Sequence, residues 1–166
     1  CIYDGSLGAY KEDDEATQLD TYGLSKRLGE PENCCVIRTS IIGEEKNTTR
    51  SLVEWVKSQR DGEVFGFTNH HWNGITCLQF AKCIDKLVQS NHHWRGVRHV
   101  FTPDRYTKYQ MLAMINEVFD LNLTINEKKA ELYCDRTLDS IHLTSSFLDI
   151  PPLMKQISEM KEFGCD

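Results

Sequence analysis

A tyrosine and a lysine four residues apart, Tyr22 and Lys26, are the residues of this sequence best suited to acid–base chemistry. On a helix this spacing places both side chains on one face, one turn apart. An ammonium group close to a phenol favours the phenolate, and a phenol tuned in this way can exchange a proton with a carbonyl or alcohol oxygen. Such pairs also occur on ordinary surface helices, which they simply stabilise. The pair is therefore a candidate catalytic site that needs support from its surroundings.

The element that carries this pair is predicted from the apolar pattern and the turn residues. A helix is expected from about Leu19 to Gly29, with Leu24 and Leu28 on one side, and Pro31 closes it. A short apolar run follows at 34–38, and its composition is typical of a strand that is buried on both faces.

Further along the chain, amphipathic helices alternate with short apolar strands, which indicates an α/β architecture. Thr48 or Thr49 is expected to cap the next helix, whose apolar stripe contains Leu52, Val53 and Val56. The remaining predicted elements are strands at 64–67 and 97–101, helices at 76–89 and 107–119, and a last helix around 153–160. The buried side of the helix at 76–89 is predicted to contain Leu78, Ala81, Ile84, Leu87 and Val88, and that of the helix at 107–119 to contain Met111, Leu112 and Ile115.

Composition excludes several classes of protein. Apolar residues make up 40% and charged residues 27% of the 166 residues, as in a globular protein, and no apolar run is long enough to span a membrane. The net charge of −6 argues against nucleic-acid binding, and the acidic run at 12–15 is expected to be a solvated loop. The seven cysteines contain no C-x-x-C pair, so we predict buried free thiols in a reducing cytoplasm and no metal site.

Consecutive blocks of the sequence resemble the extended short-chain dehydrogenases/reductases. The blocks are Tyr3-Asp4-Gly5, then Tyr22-Gly23-Leu24-Ser25-Lys26 with Gly29-Glu30, and then Val36-Ile37-Arg38-Thr39-Ser40. Their order and spacing are most similar to the dTDP-4-dehydrorhamnose reductase branch, a sugar nucleotide-binding family. The resemblance is good to about residue 90 and weaker beyond it.

The resemblance implies a fold and a division of labour. The chain would be the C-terminal part of an NAD(P)-binding, Rossmann-like doubly wound sheet, together with a small substrate-binding subdomain. Residues 1–68 would complete the Rossmann-like part with its Tyr-Lys helix, and residues 69–166 would mostly bind substrate. The glycine-rich turn that holds the cofactor pyrophosphate is not found in the sequence, since Gly5 and Gly8 lie alone beside acidic residues. We expect that turn, and with it stand-alone catalysis, to require an upstream half.

The resemblance also implies roles for individual residues. Tyr22 would protonate a sugar keto oxygen as hydride arrives, and Lys26 would assist it and hydrogen-bond the nicotinamide ribose. Arg38, at the end of a strand, would lie near the cofactor, unless it serves a structural ion pair. The family's third catalytic residue, a Ser or Thr, would lie upstream of Cys1.

Candidate substrate contacts come from two places. Asn69, Trp72 and Asn73 belong to a polar and aromatic stretch that would either line a sugar pocket or form a packed turn. Arg136 matches an arginine with which the family contacts the nucleotide diphosphate, and arginine suits phosphate through its bidentate geometry.

The predicted function is NAD(P)H-dependent reduction of a nucleotide-linked 4-keto-6-deoxy sugar in deoxysugar and polysaccharide biosynthesis, with NADP or NAD as the cofactor. Two alternatives stay open: an epimerase or dehydratase of the same superfamily, and a non-catalytic sugar-nucleotide-binding or regulatory protein similar to the methionine adenosyltransferase beta subunit. The predicted partner is a nucleotide sugar. Self-association is also expected, because a partial sheet exposes apolar faces.

Overall fold

The computed structural model describes residues 2–17, 20–46, 48 and 50–164. Its helices are α1 (Thr21–Leu28), α2 (Leu52–Ser58), α3 (Cys77–Gln89), α4 (Lys108–Phe119), α5 (Thr144–Leu148) and α6 (Leu153–Phe163). Its strands are β1 (Cys35–Arg38), β2 (Ile41–Ile42), β3 (Glu63–Phe67), β4 (His70–Trp72), β5 (Ile75–Thr76), β6 (Gly96–His99), β7 (Tyr106–Thr107), β8 (Thr124–Lys128) and β9 (Cys134–Asp135).

Most strand pairs are parallel, which confirms the predicted α/β class. Strand β1 pairs with β6, β2 with β5, and β3 with β8, all in parallel. Strand β4 lies between β7, which is antiparallel to it, and β9, which is parallel. Two of these pairs join residues before position 68 to residues well after it. Residues 1–68 and 69–166 therefore share strand pairs. Their separate roles, a Rossmann-like part and a substrate-binding part, remain a proposal.

The main apolar core lies between α2, α4 and α6. Val53 and Val56 of α2 are fully buried, as are Met111 and Ile115 of α4, and Leu112 is nearly so. These are residues that the periodicity predicts to face inward. The core fixes the start of α4, which is close to the site described below.

The structure corrects the predicted buried side of α3. Leu87 is buried as predicted, together with Gln79 and Cys83, which were not predicted. Ala81 is exposed, and Ile84 and Val88 are 38% and 69% exposed. Apolar residues occur around much of this helix, so its periodicity does not single out one face. Packing against α6 and β5 selects the buried one.

Strand β1 and helix α1 are more exposed than predicted. Cys35 is exposed and the rest of β1 is only partly buried, and Leu24 and Leu28 of α1 are 37% and 83% exposed. Among the described residues, β1 has a strand neighbour on one edge only, which leaves its apolar residues half covered. The prediction that the cysteines are buried is also wrong for most of them, because Cys34, Cys35 and Cys77 are exposed; all five in the described residues are free.

The N-cap of α2 is Ser51, and not Thr48 or Thr49 as predicted. The Ser51 side chain accepts a hydrogen bond from the Glu54 backbone N–H at 3.2 Å, as an N-cap does. The Thr48 hydroxyl is instead bonded to the Glu45 carboxylate, and Thr49 lies outside the described residues.

One member of the acidic run is a structural anchor, although its neighbours are exposed as predicted. Glu12 accepts hydrogen bonds from the backbone N–H groups of His99 at 2.7 Å and Ile141 at 2.9 Å, and from the Ser140 hydroxyl. Burial raises the pKa of Glu12, but these hydrogen bonds outweigh it and lower the pKa from 4.5 to about 2. Glu12 therefore ties the N-terminal segment to β6 and to the segment before α5.

We expect Glu12→Gln to lower the free energy of unfolding by about 1–2 kcal/mol at neutral pH, because it removes a charged acceptor of several hydrogen bonds. The pKa of Glu12 is lowered on folding, so its contribution is present above pH 4.5 and is lost as the pH falls towards 2. Urea unfolding at a series of pH values measures both effects. Glu15→Gln, which changes an exposed member of the same run, is the control. If Glu12→Gln and Glu15→Gln had identical unfolding curves at neutral pH, the stabilising role of Glu12 would be contradicted.

Candidate functional site

Helix α1 presents the tyrosine and the lysine together. Asp20 caps the helix by accepting a hydrogen bond from the Gly23 backbone N–H at 2.6 Å. The Lys26 ammonium lies 5.3 Å from the centre of the Tyr22 ring, so the two side chains share a face as predicted. The Tyr22 side chain is 59% exposed. Its phenol is therefore accessible to a ligand, with the lysine one helical turn away on the same face.

Both residues open into a cavity of about 910 Å³. Five residues predicted from the sequence line it, and they come from α1, β1, β4 and the segment after β9: Tyr22, Lys26, Arg38, Trp72 and Arg136. A volume of this size accommodates a ligand of several linked groups. The fold thus brings side chains from positions 22 to 136 to one concave site.

Arg38 is held in a structural ion pair inside this cavity. Its Nε and Nη2 donate to the two carboxylate oxygens of Glu30 at 2.7 and 2.8 Å, and its Nη1 donates to the Tyr3 hydroxyl at 2.9 Å. Burial lowers the pKa of Arg38, but its hydrogen bonds and the charge of Glu30 outweigh this and raise it. Because Glu30 follows α1 and Arg38 ends β1, the pair fixes α1 against the strand. This geometry favours a positioning role over the predicted contact with the cofactor.

The wall behind Arg38 is also closely bonded. The Tyr3 hydroxyl donates to the Lys11 carbonyl at 3.0 Å, and its ring stacks on Tyr10 with centres 4.3 Å apart. His99 is fully buried behind them, with Nδ1 2.8 Å from the Asp139 carbonyl, and burial lowers its pKa. These contacts make the α1 side of the cavity a preformed surface.

The sequence leaves two roles open for Asn69 and Asn73, substrate contacts or members of a packed turn. In the structure both side chains are hydrogen-bonded to backbone groups. The Asn69 side chain donates to the Ala130 carbonyl and accepts from the Ala130 N–H, each at 2.9 Å. Asn73 makes the same two bonds with Leu138, each at 2.8 Å. Both side chains are buried and neither lines the cavity. Their amide groups are therefore occupied, and we leave them out of the proposed substrate contacts.

Trp72 lines the cavity with its ring, since its indole N–H is already bonded. Nε1 donates to the Ser40 hydroxyl at 2.6 Å, and the side chain is 6% exposed. Because the side chain is packed in the main core, it contributes only a small apolar part of the cavity wall.

Sequence reasoning missed several residues of the same cavity, namely His70, His71, Lys108 and Cys134. The two histidines belong to the same polar and aromatic stretch, from which the sequence analysis selects Asn69, Trp72 and Asn73. Burial lowers the pKa of His71, as does the nearby charge of Arg105. Lys108 is the first residue of α4 and had no motif to mark it.

The described residues contain neither a candidate metal site nor a candidate membrane-spanning helix. No group of three or more His, Cys, Asp or Glu side chains within 2–17, 20–46, 48 and 50–164 is arranged to hold a metal ion. No helix in that part of the chain is long and apolar enough to cross a membrane.

The chain is similar in structure to several sugar-nucleotide enzymes. A dTDP-4-dehydrorhamnose reductase from Bacillus anthracis, solved in complex with NADP, matches 99% of this chain and 63% of that chain, with a TM-score of 0.74 and 15% identity. A hypothetical dTDP-4-dehydrorhamnose reductase from Sulfolobus tokodaii matches 93% of this chain and 59% of that chain, with a TM-score of 0.67 and 25% identity. A UDP-glucose 4-epimerase from Thermotoga maritima, solved with UDP-glucose, matches 95% of this chain and 57% of that chain, with a TM-score of 0.67 and 12% identity.

These likenesses confirm the fold predicted from the sequence blocks, that of the Rossmann-like short-chain dehydrogenases/reductases that act on sugar nucleotides. The chain spans about 60% of the length of the structures it matches. No protein-family model matches the sequence, and no curated protein matches it.

Proposed function

We propose that this chain forms the substrate-binding portion of an NAD(P)H-dependent reductase of a nucleotide-linked 4-keto-6-deoxy sugar. One observation carries the proposal: the Tyr22–Lys26 pair opens into the same cavity as the apolar ring of Trp72 and the cation of Arg136. An acid–base pair, an apolar patch of wall and a cation in one cavity match the parts of such a substrate, which are a keto group, an apolar sugar face and a diphosphate. The fold shared with reductases of this kind supports the same reading.

In this proposal a nicotinamide cofactor, held beside Tyr22 and Lys26, would supply the hydride that reduces the carbonyl carbon of the sugar. The Tyr22 hydroxyl donates its proton to the carbonyl oxygen in the same step, so that an alcohol forms and the phenolate is later reprotonated from solvent. The Lys26 ammonium lies on the same face of α1, where it would be a hydrogen-bond donor to the ribose of a bound cofactor. The Glu30–Arg38 ion pair keeps α1, and with it the phenol, in place.

The described residues fit only one end of the cofactor. Tyr22 and Lys26 are exposed on α1, where a nicotinamide ribose can approach them. Gly5 and Gly8 do not form a phosphate cradle, because a Cβ at Gly5 would meet Cys134 and a Cβ at Gly8 would meet the Asp135 carboxylate. The space beside these glycines is thus filled by the protein itself. We therefore propose that the pyrophosphate site belongs to a part of the protein outside this chain.

The test measures the absorbance of NAD(P)H with dTDP- and UDP-linked 4-keto-6-deoxy sugars in the full-length protein that contains this chain. A reductase oxidises one NAD(P)H for each sugar converted, so the loss of absorbance should equal the product formed. Conversion of the sugar without net oxidation of NAD(P)H would identify an epimerase or dehydratase. Tight binding of cofactor and sugar without conversion would identify a regulatory protein, and either result would overturn the proposal.

We also propose a reducing compartment, the cytoplasm, for this protein. The exposed thiols of Cys34 and Cys35 are adjacent in sequence and free, which a reducing environment favours.

A further inference from the structure

We propose that Lys108 and Arg136 together form an anion-binding subsite that holds a diphosphate ester in the cavity. Arg136 alone is suggested by the sequence, and Lys108 is the new member. The inference rests on the proposed function for the identity of the ligand, but its geometry is independent of the reaction. It assigns to Lys108 the direct contact with phosphate oxygens that places the substrate.

Lys108 lines the cavity, and its ammonium group has no hydrogen-bond or ion-pair partner among the described residues. It is the first residue of α4, whose start is fixed by a capping box between Thr107 and Gln110. Burial lowers the pKa of Lys108; Cys134 opposes that effect, and the charge of Arg136 adds to it.

Arg136 is also unpaired within the part of the chain that the structure describes. Its backbone N–H donates to the His71 carbonyl at 3.1 Å, but its buried Nε has no hydrogen-bond partner among those residues. The adjacent carboxylate of Asp135 does not neutralise it. That carboxylate accepts from Thr137 at 2.7 Å and from Tyr133 at 3.0 Å, and it pairs with Arg105 at 3.2 Å.

Two neighbouring cations that are partly buried and have no acidic partner among the described residues are unfavourable for the ligand-free fold. A lysine elsewhere in this chain is treated differently: Lys57 is bonded to Glu44 at 2.8 Å and to Glu54 at 2.9 Å. The acids that line the cavity are also engaged, since Glu30 pairs with Arg38 and Glu45 is bonded to Thr48. The missing negative charge is therefore best supplied by a ligand.

The chemistry of the two cations selects a phosphorylated ligand. A guanidinium group binds phosphate oxygens in a bidentate manner, and an ammonium group adds a compact charge that can contact a second phosphate. Trp72 lines the same cavity and adds a small apolar patch to its wall. A diphosphate ester matches this pair of cations better than a neutral sugar or a carboxylate.

The experiment measures the affinity of the protein for dTDP, for thymidine and for inorganic pyrophosphate by calorimetry. We expect Lys108→Met and Arg136→Met each to weaken the binding of dTDP by roughly 10–100-fold, since each removes a charged hydrogen bond to phosphate. Thymidine binding should not change in either variant. Lys155→Met, whose side chain is 66% exposed, is the matched control and should bind dTDP like the wild type. Pyrophosphate shows whether the nucleoside is needed. A site for any diphosphate would bind pyrophosphate as tightly as dTDP, whereas a site that also requires the nucleoside would bind pyrophosphate more weakly.

A second measurement separates this role from a purely structural one. In the absence of ligand, Lys108→Met should raise the midpoint of thermal unfolding, because it removes a partly buried cation that has no acidic partner among the described residues. Binding of dTDP by Lys108→Met within twofold of wild type would overturn the subsite. Loss of dTDP binding in both variants, in a protein that converts no keto sugar, would keep the subsite and reject the reductase proposal.

Discussion

Replacement of Tyr22 by phenylalanine is expected to lower kcat for the keto sugar by roughly 10²–10⁴-fold, the usual contribution of a positioned general acid. The substitution keeps the ring that lies 5.3 Å from the Lys26 ammonium and removes only the hydroxyl that would protonate the carbonyl oxygen. The affinity for the nucleotide sugar should change little, because its phosphates are expected at Lys108 and Arg136. Steady-state kinetics with NAD(P)H and calorimetric titration with the product measure the two quantities.

Tyr109→Phe is the control for this substitution. Its hydroxyl has no hydrogen-bond partner within the described residues, and Tyr109 does not line the cavity. It should leave both kcat and binding at the wild-type level. If Tyr22→Phe retained more than about a tenth of wild-type kcat, a different group would have to be the proton donor.

The second large effect is expected from Gly74→Ala, which should lower the free energy of unfolding by at least about 2 kcal/mol. A Cβ at this position would overlap the carbonyl group of Ser40 and the ring of Trp72. That carbonyl accepts the Ile75 backbone N–H at 2.9 Å, so a shift would disturb the pairing of β2 with β5. The displaced Trp72 ring should also weaken binding of the nucleotide sugar. Urea unfolding and calorimetry measure the two losses.

Gly29→Ala is the matched control, because it also adds one methyl group next to a site element. The backbone there has a φ of −83°, and the atom that a Cβ would meet first is a carbonyl oxygen 3.3 Å away. We expect a change in unfolding free energy below about 1 kcal/mol for this variant. Equal effects of the two substitutions would show that the close packing at Gly74 does not limit the stability of the site.

Local patterns were sufficient for the elements whose apolar residues occupy one face. Helix α4 is an example: the sequence predicts a helix at 107–119 with Met111, Leu112 and Ile115 buried, and the structure confirms the helix and all three buried residues, with Thr107 as its N-cap. The buried side of α3 could not be predicted in this way, because apolar residues occur around much of that helix. The choice of Gln79 and Cys83 for burial depends on packing against α6, which lies far along the chain.

The candidate site divides along similar lines. The spacing of Tyr22 and Lys26 is a local signal, because a helix alone is enough to place the two side chains on one face. The roles of Asn73 and Lys108 depend on residues that are distant in the sequence. The Asn73 amide is hydrogen-bonded to the backbone of Leu138, and Lys108 is a candidate ligand contact because it lies near Arg136. A single sequence shows which residue types are available, whereas the partner that occupies each of them becomes visible only in the fold.

The most direct test of the account is a crystal structure of the full-length protein with NADP and a dTDP-linked deoxysugar product. The quantity to measure is the distance between the Tyr22 hydroxyl oxygen and the sugar oxygen formed from the keto group. The account predicts roughly 2.6–3.2 Å, with the diphosphate in contact with Lys108 and Arg136. A sugar bound outside this cavity, or one bound inside it with that oxygen beyond hydrogen-bond reach of Tyr22, would contradict the proposed reductase site.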